Sequence, residues 1–570
     1  MCAGADPDMR SGVLKSFVFV STLTALLLLV IISDREFYLK LSNVHTLQYD
    51  DSQEAASVPL QRHIANGWWK NDLQSNSEVS VQLNSTTELT LLRSSSLHKD
   101  FPQCCISQTM ENELVSLQQN VKKCLRAINL TKIEEREYDS AKVLLLEYRK
   151  VIPQQFLRDC SSHCWETEYK INIVPSTTPQ KSMKIVGNIG NVTFSQIYSR
   201  DFEIRRLDDV FDHQFSSHLV CLPKVFLAGF MKCGSTFLDC FLTKLIQVSL
   251  STAAPVHGSK EPRFWVEPAS FTHVAVPNAS DLGGYIANFV KGILKIETER
   301  LVYNASKFVL VDGSPFYLNG WPRYHMDDDN MTNTCLLPST MSLLLPKAKY
   351  IVIMREPVSA LYSSFWFSCV MYNPGLSRKN QLKGPDVFHE RVMKKVDMFN
   401  ECMTDKSVPA LSHPCSLKAD SDYSECIVQR FHLLHRCLQA VSFDAYSSDM
   451  PRCGDIRFDV SLYYVHIQKW LSVIPREQFL FLTLEEMSRE VENVTVKILK
   501  FLELPLFREI TKKAKNFAQH CTQNSQTQFD YKNDHQLQIK SKTLKLLQKF
   551  FHPFKTKLAE LIEDTRFLWR

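Results

Sequence analysis

VFLAGFMKCGSTFL, residues 225–238, decides the fold. The run 225–228 is short and wholly apolar, as suits a strand buried on both faces of a parallel sheet. Gly229 and Gly234 bound a turn, and Ser235 and Thr236 open a helix that continues as FLDCFLTKLI. Strand, glycine turn and helix start together aim backbone N–H groups and a positive helix end at one point, an arrangement that holds phosphate. The spacing approaches the nucleotide loop G-x-x-x-x-G-K-[ST]. Gly229, Gly234 and Thr236 fit it, but Ser235 stands at the lysine position and the nearby cation is Lys232, inside the loop. A loop of this kind holds a phosphate but is poorly arranged for a β/γ-phosphate with its magnesium, which speaks against an ATP-using kinase. Read without a ligand, the same residues are an ordinary strand–helix turn.

Further apolar runs lie at FVLVD (308–312), YIVIM (350–354) and FLFLTL (479–484), each between helical stretches. Strands alternating with helices predict an α/β domain with a P-loop-like parallel sheet flanked by helices. In YIVIMREPVSALYSSF, Arg355 emerges at the C-terminal end of a strand, where ligands bind in open α/β sheets. Pro357 turns the chain into a helix that carries Ser363. A guanidinium offers bidentate contact to phosphate, and a hydroxyl adds a donor. SKEPRFW, residues 259–265, brings Lys260, Glu261 and Arg263 together. A carboxylate there can act as a general base, with His257 as the competing base and a plain surface pair as the bland reading. VDGSPFYL (311–318) ends a strand in Asp312, followed by Ser314 and Tyr317. Asp312 also suits a magnesium ligand of a kinase, a reading the missing loop lysine opposes. Tyr463, Trp470 and Glu485 read as packing and scaffold, and KFFHPFKTKLAELIEDTRFLW as an amphipathic terminal helix.

Lys232-Cys233-Gly234-Ser235-Thr236 after a strand, with Arg355-x-Pro357 and Ser363, resembles the two phosphate motifs of sulfotransferases. These enzymes use 3′-phosphoadenosine-5′-phosphosulfate (PAPS). VIPQQFL with a following Cys-Trp, KEPRFW, DVFHERV…MFNECM, KWLSVIPREQFLFL and the FFHPF…FLW ending give a closer resemblance over roughly 150–570. It is to the glycosaminoglycan branch of the carbohydrate sulfotransferases, nearest those acting on the 6-hydroxyl of N-acetylgalactosamine 4-sulfate. The resemblance implies PAPS as co-substrate without a metal, and donor contacts from Lys232, Cys233, Gly234, Ser235, Thr236, Phe237, Arg355 and Ser363. It implies Glu261 as base, Lys232 on the 5′-phosphate and bridging oxygen, and Lys260 on the sulfuryl oxygens. Arg263, Asp312, Ser314 and Tyr317 would line the acceptor cleft. The implied partner is a chondroitin or dermatan chain, with no nucleic acid, and the implied setting is a Golgi type II membrane enzyme. The sequence departs from the family at Phe230-Met231, at Ala360, at Ser461 and in the late loop 521–533, whose one basic residue is Lys532. These departures leave open another glycosaminoglycan acceptor or a non-catalytic glycan-binding relative.

Around this centre the chain is ordinary in balance. A hydrophobic fraction of 44% and a charged fraction of 22% fit a globular protein. The net charge of +5 names no polyanion partner, so any basic groove is local. Residues 1–12 form a short tail, and 13–33 are predicted as a transmembrane signal anchor, uncharged from 16 to 33. Arg10 and Lys15 precede the span, but Arg35 and Lys40 follow it, so charge alone sets no firm orientation. The 17 cysteines are widely spread and make no paired C-x-x-C site, which with an anchor predicts an oxidising lumen and several disulfides of unread connectivity. N-x-[ST] sequons at Asn84, Asn129, Asn191, Asn278, Asn304, Asn330 and Asn493 all follow the span and fit a lumenal body. Residues 34–150 are predicted as a stem, Ser-, Asn- and Thr-rich to 107 and then two helices that extend it or pack on the body. A homodimer through those helices is one expectation. Residues 151–570 are the expected catalytic domain, with a polar, Cys-rich insertion at 390–450.

Overall fold

A computed structural model describes residues 109–128, 134–153, 164–175, 183–198, 214–250, 309–318 without 316, 335–372, 377–403, 423–429, 461–506, 508–525 and 534–569, with a few single positions between. All of them belong to one compact unit, 95–570. The predicted anchor and the first part of the stem lie outside the described residues. Among the described residues no helix is long and apolar enough to cross a membrane.

The unit opens with helices α1 (Met110–Ala127) and α2 (Glu134–Arg149). Strands β1 (Cys164–Pro175), β2 (Met183–Ile189), β3 (Val192–Tyr198) and β4 (Gln214–Cys221) follow. Then come β5 (Val225–Leu227), α3 (Ser235–Leu250), β6 (Val311–Asp312), α4 (Leu336–Leu344) and β7 (Lys349–Met354). Helices α5 (Pro357–Tyr372), α6 (Arg378–Cys402), α7 (Tyr423–Gln429) and α8 (Tyr463–Val473) lead to β8 (Phe479–Thr483). The chain closes through α9 (Leu484–Arg489), α10 (Val491–Phe501), α11 (Arg508–Ser525) and α12 (Ser541–Ile562).

The central sheet has the order β6-β5-β7-β8 and is parallel throughout. The strand expected at 308–312 is confined to its last two residues. Alternation splits the strands' side chains between two cores. Val225, Leu227, Ile351, Ile353 and Leu482 face one way, against Leu238, Phe241 and Leu245 of α3 and Val494 and Ile498 of α10. Phe226, Tyr350, Val352, Phe479 and Phe481 face the other, in a core shared with α1, α2, α4 and α8. The Cys240–Cys521 disulfide ties α3 to α11.

The helices expected either to extend the stem or to pack on the body lie against the body. Leu117, Val121 and Leu125 of α1 and Leu144, Leu145 and Tyr148 of α2 are buried in the same core as Phe226 and Tyr350. Cys124 of α1 is bonded to Cys335 at the start of α4, and Asn120 donates to the Ser342 hydroxyl at 2.9 Å. Arg149 and Glu113 form a buried ion pair at 2.7 Å. The apolar spacing that made these helices amphipathic is answered by the body, the second of the two expected arrangements. Part of the expected insertion packs on the body. Val392, Val396 and Phe399 of α6 are buried in a third cluster with Phe550, Phe551 and Phe554 of α12.

An antiparallel sheet of order β3-β2-β1-β4, absent from the expectation, precedes β5. A two-residue turn joins β2 to β3, with Gly190 at φ +51° and Asn191 exposed. Cys164–Cys221 fastens β1 to β4. Of the predicted sequons only Asn191 and Asn493 are described; Asn493 is exposed on α10 while its Thr495 is buried.

A chain of residues 95–570 is expected to be recovered folded, and one of residues 151–570 to aggregate. The shorter chain loses several large buried side chains worth about 1.5–3 kcal/mol each, against a total stability of about 5–15 kcal/mol. Yield and a cooperative thermal melt check this; equal melts for the two chains would place α1 and α2 outside the folding unit.

Candidate functional site

Because the central sheet is parallel, the C-terminal ends of its strands share one edge. From β5 the chain moves to β6 on one side, then crosses to β7 on the other. Such a reversal leaves a crevice between β5 and β7, the usual ligand position of open α/β sheets. The loop 228–234 leaves β5 at that crevice and Arg355 leaves β7 beside it, so the structure brings together the two segments expected to hold phosphate.

The loop is held by backbone constraints. A Cβ at Gly229 would stand 2.9 Å from the Ile353 carbonyl oxygen, so only glycine lets the loop pass β7 this closely. Gly234 has φ +94°, and a Cβ there would meet Leu484 at 2.7 Å. Lys232 also takes a positive φ, +61°, and its ammonium lies 4.1 Å from the centroid of the Phe367 ring on α5. Helix α3 has no acidic residue in its first turn, so its positive end is uncompensated by its own side chains. Ser235 is buried, Thr236 exposed, and Phe237 stacks on Phe241.

Arg355 is half-buried and Ser363 is buried on α5, one turn before Phe367. Glu356 caps α5 by accepting from the N–H groups of Val358 at 3.1 Å and Ser359 at 2.7 Å. Its own N–H donates to Glu485 Oε1 at 3.1 Å, and Trp569 Nε1 donates to Glu485 Oε2 at 3.1 Å. Glu485 is thus scaffold for the Arg355 turn.

Between loop and turn stands Tyr463, at the start of α8 and 2% exposed. Its hydroxyl donates to the Arg355 carbonyl at 2.9 Å and lies 3.3 Å from Cys233 Sγ. Its ring packs on Phe230 at 4.5 Å between centroids. Burial pushes the Cys233 thiol up to about 11 and the Tyr463 phenol well above its ordinary range.

On the other side of β5, Asp312 ends β6 with no exposed surface. It accepts from the Tyr285 hydroxyl at 2.7 Å, the Tyr317 hydroxyl at 2.5 Å and the Ser314 N–H at 2.9 Å. Burial raises its pKa against the opposing pull of these bonds. Ser314 and Tyr317, which the resemblance places along the acceptor cleft, are buried too. This carboxyl holds its turn together.

His257, Lys260, Glu261 and Arg263 lie outside the described residues. Sequence reasoning missed the Tyr463 bridge, the Tyr285 contact and the link from Trp569 through Glu485 to the Arg355 turn. Each joins residues far apart in the chain, and no local pattern marks them.

A family profile described as "Sulfotransferase domain" matches residues 222–554, more than half of the chain. The proteins named "Carbohydrate sulfotransferase 15" from Mus musculus and Homo sapiens are each 24% identical over 436 residues, 74% of this chain and 67% of theirs. "Membrane-associated sulfotransferase kil1" of Dictyostelium discoideum is 23% identical over 334 residues, 54% of this chain and 62% of its own. A crystal structure of a sulfotransferase from Alicyclobacillus acidocaldarius aligns at TM-score 0.32 and 18% identity, over 60% of this chain and 97% of that one.

Asp312→Ala leaves buried donors without an acceptor and is expected to cost about 3 kcal/mol, read from urea unfolding. Asp312→Asn costs less. Its disadvantage shrinks as the pH rises from about 4, because a raised carboxyl pKa gives stability that is lost as pH passes through the folded value. An alanine variant as stable as the parent would contradict the network.

Proposed function

The chain belongs to the sulfotransferase domain family, and on that premise we propose that it is a PAPS-dependent carbohydrate sulfotransferase. Its acceptor is a chondroitin or dermatan chain, at the 6-hydroxyl of N-acetylgalactosamine 4-sulfate. The observation that carries this reading is the pairing of the 228–234 loop with Arg355 at neighbouring strand ends. A nucleotide with phosphates at both 3′ and 5′ needs two separate anion sites. The α3 N-terminus with Lys232 suits one, and Arg355 with Ser363 suits the other. The names of the carbohydrate sulfotransferase relatives support a sugar acceptor.

In this reading PAPS is a substrate, and the protein's task is placement and charge. Glu261 takes the proton of the acceptor hydroxyl as its oxygen bonds to sulfur. The bond from sulfur to the 5′-phosphate oxygen breaks, and the phosphate leaves with the electron pair. Lys232 offsets the charge that grows on that phosphate, and Lys260 steadies the sulfuryl oxygens. The reading requires no metal and no covalent intermediate. Donor residues Cys233, Gly234, Ser235, Thr236 and Phe237 shape the loop, and Arg263 joins the acceptor side. The predicted anchor at 13–33 and the sequons support a type II Golgi enzyme with a lumenal body. The disulfides of the body agree with an oxidising compartment.

The test incubates the purified full chain with radiolabelled PAPS and chondroitin 4-sulfate, unsulfated chondroitin, dermatan sulfate or heparan sulfate. Label on chondroitin 4-sulfate, released as the 4,6-disulfated sugar, is expected. Glu261→Gln should lower the rate by about 10²-fold or more, the scale of general-base catalysis. Label on a different chain alone would overturn the acceptor. Absence of transfer and of donor binding by a folded protein would overturn the enzyme.

A further inference from the structure

The loop and the Arg355 turn belong to strands joined by hydrogen bonds only as far as Leu227 and Ile351. One further bond runs from the Ala228 N–H to the Ile351 carbonyl, and beyond it the loop leaves the ladder, while β7 runs on paired with β8 to Met354. Two cationic groups that must meet two phosphates of one molecule therefore need a separate device to fix their distance. Placement of this kind matters because a small error in position weakens every contact at once.

Tyr463 supplies a link between them. A phenol carries one proton, and Tyr463 gives it to the Arg355 carbonyl oxygen at 2.9 Å. The Cys233 thiol, 3.3 Å away, must then be the donor toward the phenol oxygen. The Met231 carbonyl oxygen is a longer alternative for that thiol at 3.6 Å. The order is S–H of Cys233 to O–H of Tyr463 to C=O of Arg355, a directed relay across the crevice. The relay requires a protonated thiol. Burial at 0% exposure keeps it so, with a pKa of about 11. Around the relay the Tyr463 ring packs on Phe230 of the loop and, at 6.0 Å between centroids, on Trp569. Trp569 in turn holds Glu485, which holds the Glu356 N–H. The same ring therefore touches the loop and the scaffold of the turn.

We propose that Tyr463 is a positioning residue that fixes the phosphate loop against the Arg355 turn, so that the two anion sites are set at the spacing of a 3′,5′-bisphosphate nucleotide. The proposal deepens the donor reading above and rests on it. Tyr463 touches no reacting atom. Its effect is to remove the ordering cost of bringing both sites to one ligand.

The consequence is specific to ligands that use both sites. A monophosphate occupies one site and tolerates a shift between them; a bisphosphate does not. Calorimetric titration of the full-length chain with 3′,5′-ADP, 5′-AMP and 3′-AMP reads this directly. Tyr463→Phe keeps the ring and deletes the hydroxyl. It is expected to weaken 3′,5′-ADP about tenfold, equivalent to about 1.4 kcal/mol, and to change each monophosphate less than about twofold. In turnover it should raise the KM for PAPS more than it lowers kcat. Cys233→Ala breaks the relay from the other end and should match this loss, Cys233→Ser should restore most of the bisphosphate affinity, and the double variant should add little.

Equal weakening of all three nucleotides would assign Tyr463 to general stability and overturn the proposal. Unchanged bisphosphate affinity in Tyr463→Phe and Cys233→Ala would overturn it too. If the folded parent chain binds no 3′,5′-ADP, the donor reading falls and takes this inference with it. Failure of the inference alone shows instead as a parent that binds and variants that bind equally well.

Discussion

The parallel pairing of β5 with β6 on one side and β7 on the other governs the molecule. Val225 is matched with Val311 and with Lys349, so three chain segments far apart in sequence end on one edge. The contact is short, only two pairs with β6 and three with β7, and backbone bonds alone would hold it weakly. What fixes it is side-chain burial on both faces. Leu227 and Ile351 sit in the core under α3, while Phe226 and Tyr350 stack at 5.6 Å in the core under α1 and α8. A strand of three residues can carry the 228–234 loop because two cores clamp it.

That clamp explains why α1 and α2 matter to a site they do not line. They cover the face on which Phe226 and Tyr350 pack, and the Arg149–Glu113 pair is buried at their far ends. Breaking such a pair leaves a buried charge alone, at a cost of about 3–5 kcal/mol. The disulfides follow the same logic. Cys124–Cys335 joins this cover to α4, and Cys240–Cys521 joins the loop-bearing helix to α11 across the other core.

The sequence made the central sheet legible because its strands are apolar on both sides and end in distinctive residues. Glycines at 229 and 234 were readable for the same reason: a close backbone approach and a positive φ both exclude a side chain. The antiparallel sheet was also marked, by Gly190-Asn191 between two β-rich runs, a hairpin signal that local reading could have caught. Segment 108–150 was ambiguous in principle. An amphipathic helix announces that it covers something and not what it covers. Asp312 illustrates a different limit. An aspartate ending a strand beside Ser-Pro-x-Tyr does not announce its partners, and the approach of Tyr285 from 27 residues away is not marked locally.

Cys233 brings these strands of argument together. It lies in the loop that most needs a fixed shape, seven residues before a cysteine that is disulfide-bonded. A thiol in an oxidising compartment is captured through its thiolate. Here burial keeps the proton on sulfur, with a pKa of about 11, and leaves no surface for a partner to reach. The same burial that spares the thiol from exchange gives it its role, since only the protonated form can donate toward Tyr463. Serine could donate as well, but a hydroxyl costs more than a thiol to place among apolar side chains. A cysteine therefore suits a position that is at once a weak donor toward Tyr463 and a small hydrophobe in the core that holds Phe230.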